Sequence, residues 1–118
     1  MRLRRLIALV AVAGPLAAAP AVAHHGWSGY DSTKELTVDG TIKEYGYEHP
    51  HGHVRLEAPG KTWLVTLAPP SRMQNRGLTA DRLKTGAKAR VVGYASRNDP
   101  NEMRAERIII DGKTTELR

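Results

Sequence analysis

The chain has 118 residues, a formal net charge of +6, five histidines, and neither cysteine nor phenylalanine. That length suits one small domain. The missing cysteines exclude disulfides and every thiolate metal site, so a bound metal would need His, Asp, Glu, Met or the amino terminus.

The first predicted element is an export signal over residues 1–23. Arg2, Arg4 and Arg5 form a basic head, residues 6–23 carry no charge, and Ala21-Val22-Ala23 places small side chains where a signal peptidase cuts. A membrane anchor is the competing reading, but the run is short for a span and Pro15 and Pro20 interrupt it. Cleavage before His24 also removes three arginines and lowers the formal charge to +3, which takes away the main argument for nucleic-acid binding. The expected location is the periplasm or the medium outside the cell, with no stable membrane span left after cleavage.

Residues 24–34, rich in Gly, Ser and His, read as an extended arm ahead of a domain at 35–118. Leu36, Val38 and Ile42 alternate with polar residues as in a half-buried strand, with Gly40 allowing a bend or bulge. Val54, Leu56 and Ala58 mark a second strand, Pro59-Gly60 a tight turn, and residues 61–67 a third strand completing a hairpin. Pro70 opens a short helix closed by Gly77, and Thr79 reads as the N-cap of one more turn that Gly86 stops. Residues 87–95 and 103–110 are further strands, separated by the turn Asn98-Asp99-Pro100-Asn101. Three strands, a helical connection and two strands is the order of an all-β, OB-like five-stranded barrel; a small open β-sandwich is the alternative. The expected core is Leu36, Val38, Ile42, Val54, Leu56, Trp63, Val65, Val91 and Ile109.

The histidines form two groups, His24-His25 and His49-Pro50-His51-Gly52-His53. Once the signal is removed, His24 offers its α-amine and its ring Nδ1 to one ion, a chelate that a further imidazole completes as a histidine brace. Amine and imidazole nitrogen without thiolate favour Cu(II) among first-row ions. His49, His51 and His53 are two apart, so an extended segment turns them to one face. The plainer reading is a frayed terminus and a solvated turn. Met73 and Met103 fit core packing better than metal binding. Trp27 and Tyr30 either shield a metal or simply pack the arm, Asp31 and Glu48 are candidate partners for ring N–H groups, and Arg72, Arg76, Arg82, Lys84, Lys88 and Arg90 read as a solvated face. No nucleophile motif, phosphate loop or zinc-protease signature is present.

Ala23-His24-His25-Gly26-Trp27, His49-Pro50-His51, Ala68-Pro69-Pro70-Ser71, Arg76-Gly77-Leu78-Thr79 and residues 86–93 together resemble the exported bacterial family called domain of unknown function 6152. The resemblance implies an OB-like barrel outside the cytoplasm and brings no established activity. The family has Asn-Pro-His where this chain has His49-Pro50-His51, and an aromatic is usual at the position of His53. The resemblance therefore favours His24, His25 and His51 over His49 and His53 as ligands.

Three functions fit. The leading one is an envelope protein that binds copper for storage, delivery or tolerance, through His24 with His51 and either His25 or His53. The second is a binding module whose barrel face holds a glycan, a lipid head group or an envelope protein partner. A small copper oxidase or oxygenase ranks last, because so short a domain leaves little room for a substrate pocket beside the ion. Nothing in the sequence sets the oligomeric state.

Overall fold

The computed structural model describes Gly14 and residues 26–118. The expected signal peptide, His24 and His25 lie outside the described residues. A single 3-10 turn, Trp27–Gly29, leads into β1 (Tyr30–Gly46), β2 (His53–Ala58) and β3 (Lys61–Thr66). The helix α1 (Pro70–Asn75) and a second 3-10 turn, Ala80–Leu83, connect to β4 (Lys88–Ser96), β5 (Glu102–Ile110) and β6 (Lys113–Glu116). The protein is all-β with one short helix. β1 begins at Tyr30, so the second half of the expected arm belongs to a strand.

All six strands lie in one sheet of order β3-β2-β1-β4-β5-β6, and an additional pairing joins β3 to β5. That pairing is parallel, from Leu64 opposite Glu102 to Thr66 opposite Arg104, and it closes five strands into a ring. The strand order is the OB-like one expected, with the helix between β3 and β4. No described helix is long and apolar enough to cross a membrane.

Alternation places the core. In the β2–β3 hairpin Val54 pairs with Val65 and Leu56 with Trp63, and Gly60 takes the positive φ of +78° at the turn. Ile42, Val54, Leu56, Val65 and Val91 are fully buried, whereas Leu36, Val38 and Trp63 pack against them half-buried. Met73 and Met103 are both core residues. Each large aliphatic side chain buried this way contributes about 1.5–3 kcal/mol.

Two expectations fail for one physical reason, an extra residue in a strand. In β5, Arg107 faces Val92 while Ala105 faces Gly93, which leaves Glu106 as the additional residue of a bulge. Met103 and Ala105 point inward before it, and Ile108 and Ile110 after it, so the core position expected of Ile109 belongs to its neighbours. In β1 the register shifts between Ile42 and Glu44, at Lys43 and not at Gly40. Gly40 serves a close approach instead: a Cβ there would lie 2.5 Å from the Glu57 carbonyl oxygen and 2.9 Å from Leu56 Cγ.

The basic set fits the expected solvated face at Arg76, Lys84, Lys88 and Arg90, which are exposed, whereas Arg72 and Arg82 are partly buried. Arg72 donates to the Leu117 carbonyl (3.0 Å), Arg76 to that of Glu116 (2.7 Å), and Arg82 to that of Ile110 (3.1 Å). These three side chains tie the helical connection to the ends of β5 and β6, while Arg90 forms a two-point ion pair with Asp39. Lys84 and Lys88 are exposed. Thr79 precedes the second 3-10 turn as expected, but its hydroxyl bonds the Asp81 carboxylate and not a backbone N–H.

Candidate functional site

Strand register brings together residues far apart in sequence. Gly46 pairs with His53, His53 with Thr66, Thr66 with Arg104, and Arg104 with Tyr94. Paired residues share a face, so His53, Thr66, Arg104 and Tyr94 form one row across β2, β3, β5 and β4 on the outside of the ring. The row below it runs Arg55, Leu64, Glu102.

The histidine segment is held at the edge of this face by backbone bonds. Gly52 N–H donates to the Ala68 carbonyl (2.9 Å), and Leu67 N–H donates to the Gly52 carbonyl (2.8 Å). Gly52 is buried, and a Cβ there would lie 2.5 Å from Met73 Cε and 3.2 Å from the Gly46 carbonyl oxygen. A side chain at 52 would require the end of Met73 to move and crowd the Gly46 carbonyl. His51 and His53, on either side of this glycine, both line a shallow cavity of about 340 Å³ with Pro50, Arg55, Leu64 and Thr66. His49 follows a different course: it precedes a cis peptide bond to Pro50, is exposed, and does not line the cavity. Of the three histidines expected on one face, the structure joins His51 and His53 and leaves His49 out.

The other half of the face is covered by residues 26–30. The guanidinium of Arg104 lies 4.4 Å from the centre of the Trp27 ring, and that of Arg118 lies 4.6 Å from it. Tyr30 and Tyr94 meet the same ring edge-on, at 6.4 and 6.0 Å. Arg104 Nη1 donates to the Gly26 carbonyl (3.2 Å), and Arg97 N–H to that of Gly29 (2.9 Å). Burial disfavours the charged form of Arg104, and the nearby Arg72 and Arg118 charges act the same way, while Tyr30 opposes them. Contact with the π-face of Trp27 offsets part of that cost.

Tyr30 links the two halves. Its hydroxyl donates to Glu102 Oε1 at 2.9 Å and is also hydrogen-bonded with Thr66, which lines the histidine cavity. Burial is the main cause that holds the Tyr30 phenol above its ordinary pKa. Asp31 is engaged locally by the Thr33 N–H (3.1 Å) and hydroxyl (2.6 Å), and Glu48 is exposed. Arg104, Arg118, Thr66 and Tyr94 escaped sequence reasoning. Thr66 and Arg104 are simply outward residues until the β3–β5 pairing sets them side by side.

The donor chemistry limits what this face can do alone. Among the described residues, no group of three or more His, Asp or Glu side chains comes together as a metal site. Two imidazoles at one cavity make half of a nitrogen site, and His24 and His25, which would be needed to extend it, lie outside the described residues.

The fold and face define an all-β ring whose amino-terminal arm is strapped over its outer surface beside a histidine cavity. The chain belongs to the Family of unknown function (DUF6152), whose family model matches residues 12–104. No curated protein matches the chain.

Proposed function

We propose that residues 1–23 direct export and are removed, and that the exported protein binds Cu(II) at the His51/His53 cavity, with His24 supplying its α-amine and ring. The role would be copper handling or tolerance in the cell envelope. The observation that carries this reading is the shared cavity of His51 and His53 beside an arm that Arg104 pins at Gly26.

The reach supports it. Arg104 stands one strand from Thr66 and two from His53, about 10 Å at ~4.8 Å per strand. Two extended residues ahead of Gly26 span about 7 Å; the His53 ring lies over Gly46, on the side of β2 away from Arg104, so it would turn toward the arm to share an ion with His24. An amine, the ring of the same residue and two further imidazoles make an all-nitrogen donor set suited to Cu(II). Metal binding would release protons, since both the amine and the imidazoles must be deprotonated to bind. In the ligand set, His53 now ranks beside His51, ahead of the family-based preference, and His49 drops behind both.

The test is Cu(II) titration of the exported protein and its single variants. His51→Ala and His53→Ala should each weaken binding by at least about tenfold, or ~1.4 kcal/mol. His49→Ala should leave affinity within about twofold. An effect of His49→Ala as large as that of His53→Ala would reject the cavity as the site.

A further inference from the structure

We infer that Trp27 is a positioning residue: gripped by Arg104 and Arg118, it fixes where the chain leaves the ring at Gly26 and so aims the amino-terminal histidine at the His51/His53 cavity. The inference rests on the metal-binding reading and deepens it, by naming the residues that shape the site before any ion arrives.

A chain terminus is poorly ordered unless something ties it down. The 3-10 turn at Trp27–Gly29 has no buried residue, so burial in the core is not what holds it. It is held by contacts to one indole ring and by backbone bonds. The ring meets two guanidiniums and two tyrosines. The backbone is bonded at Gly26 by Arg104 and at Gly29 by Arg97.

The tether also has a direction. Arg104 occupies the same cross-strand row as Thr66 and His53, so a chain leaving Gly26 starts on the face that carries the cavity. Arg104 is itself costly to keep: it is buried, and Arg72 and Arg118 are close enough to disfavour its charge. It donates to the Gly26 carbonyl and lies against the Trp27 and Tyr30 rings, all three in the arm. A ligand held near its ion loses less freedom on binding than one gathered from a loose tail, and this is the contribution assigned to Trp27.

The experiment uses the exported protein beginning at His24, with Trp27→Ala and with Trp27→Phe as a milder variant that keeps a ring. Three quantities are read: hydrogen exchange of the Arg97 amide without metal, Cu(II) affinity, and the thermal midpoint without metal. Trp27→Ala should speed Arg97 exchange by about tenfold or more and weaken Cu(II) by about tenfold, with Trp27→Phe between it and the native protein. With one residue added ahead of His24, Trp27→Ala should cause no further loss of affinity, because the amine it positions is already displaced. Faster exchange with unchanged affinity overturns the positioning role and leaves the metal site standing. An equal loss on both backgrounds means that Trp27 acts through general stability, which also overturns it. A native protein that binds no Cu(II) removes the metal reading and this role together, and the exchange data then show separately whether Trp27 holds the arm.

Discussion

At β3 and β5 the inner and outer sides of the ring are made by adjacent residues with opposite demands. Val65 and Met103 pair on the inside and are fully buried among aliphatic neighbours. Thr66 and Arg104, one residue further along each strand, pair on the outside among an indole, two phenols, a carboxylate and two further arginines. The inner side is stabilised by area and shape, which any well-fitting apolar residue can supply. The outer side is organised by particular polar and aromatic contacts that hold residues 26–30 in place. Changes inside should therefore alter stability and leave the proposed Cu(II) binding alone, and changes outside should do the reverse.

The largest stability effect is expected where β4 and β5 touch. A Cβ on Gly93 would run into the Arg104 carbonyl oxygen and lie 2.9 Å from Ala105 Cα, and backbone cannot swing aside as a side chain can. Gly93→Ala should cost about 3 kcal/mol, read from the urea midpoint. A near-neutral result would mean that the β5 bulge does not approach β4 this closely. On the outer side, His51→Ala and His53→Ala sharpen the contrast if they weaken Cu(II) and leave the metal-free thermal midpoint in place.

The smallest effect concerns charge far from either region. Asp39 is exposed, and the Arg90 guanidinium bonded to it holds its carboxyl below the ordinary range. A lowered carboxylate pKa adds stability above the unfolded value, and that stability is lost as pH falls through the folded value. Asp39→Asn should thus narrow its gap to the native protein only below about pH 4, with Cu(II) affinity at neutral pH unchanged. A gap that stays constant from pH 6 to pH 2 would show that the pair contributes nothing through ionisation.

The inner side was legible because period-two alternation and turn residues are local signals. The β2–β3 hairpin, the helical connection and the order of strands all follow from them. Ile109 was misplaced because the bulge at Glu106 depends on how β5 meets β4, which alternation along one strand cannot reveal. β6 was missed because Lys113–Glu116 is polar; the available signal was Asp111-Gly112, whose φ values of 52° and 71° make the tight hairpin turn this dipeptide favours. The outer face was half legible. Two-residue spacing brought His51 and His53 together correctly, but His49 shared that spacing and lies elsewhere. Arg104 beside Thr66 required a parallel pairing between strands distant in sequence, so the grip on Trp27 left no local trace.

The central claim is that the chain's own amino terminus completes the His51/His53 site. Its most direct test compares Cu(II) binding by a protein made to begin at His24, the proposed exported form, with that of the same protein carrying one extra residue ahead of it. Every side chain is retained, and only the α-amine moves. The account predicts at least about tenfold weaker binding in the extended protein, near 1.4 kcal/mol, with an altered electron paramagnetic resonance spectrum. Equal affinities with identical spectra would contradict it, and would place the amino terminus outside the site.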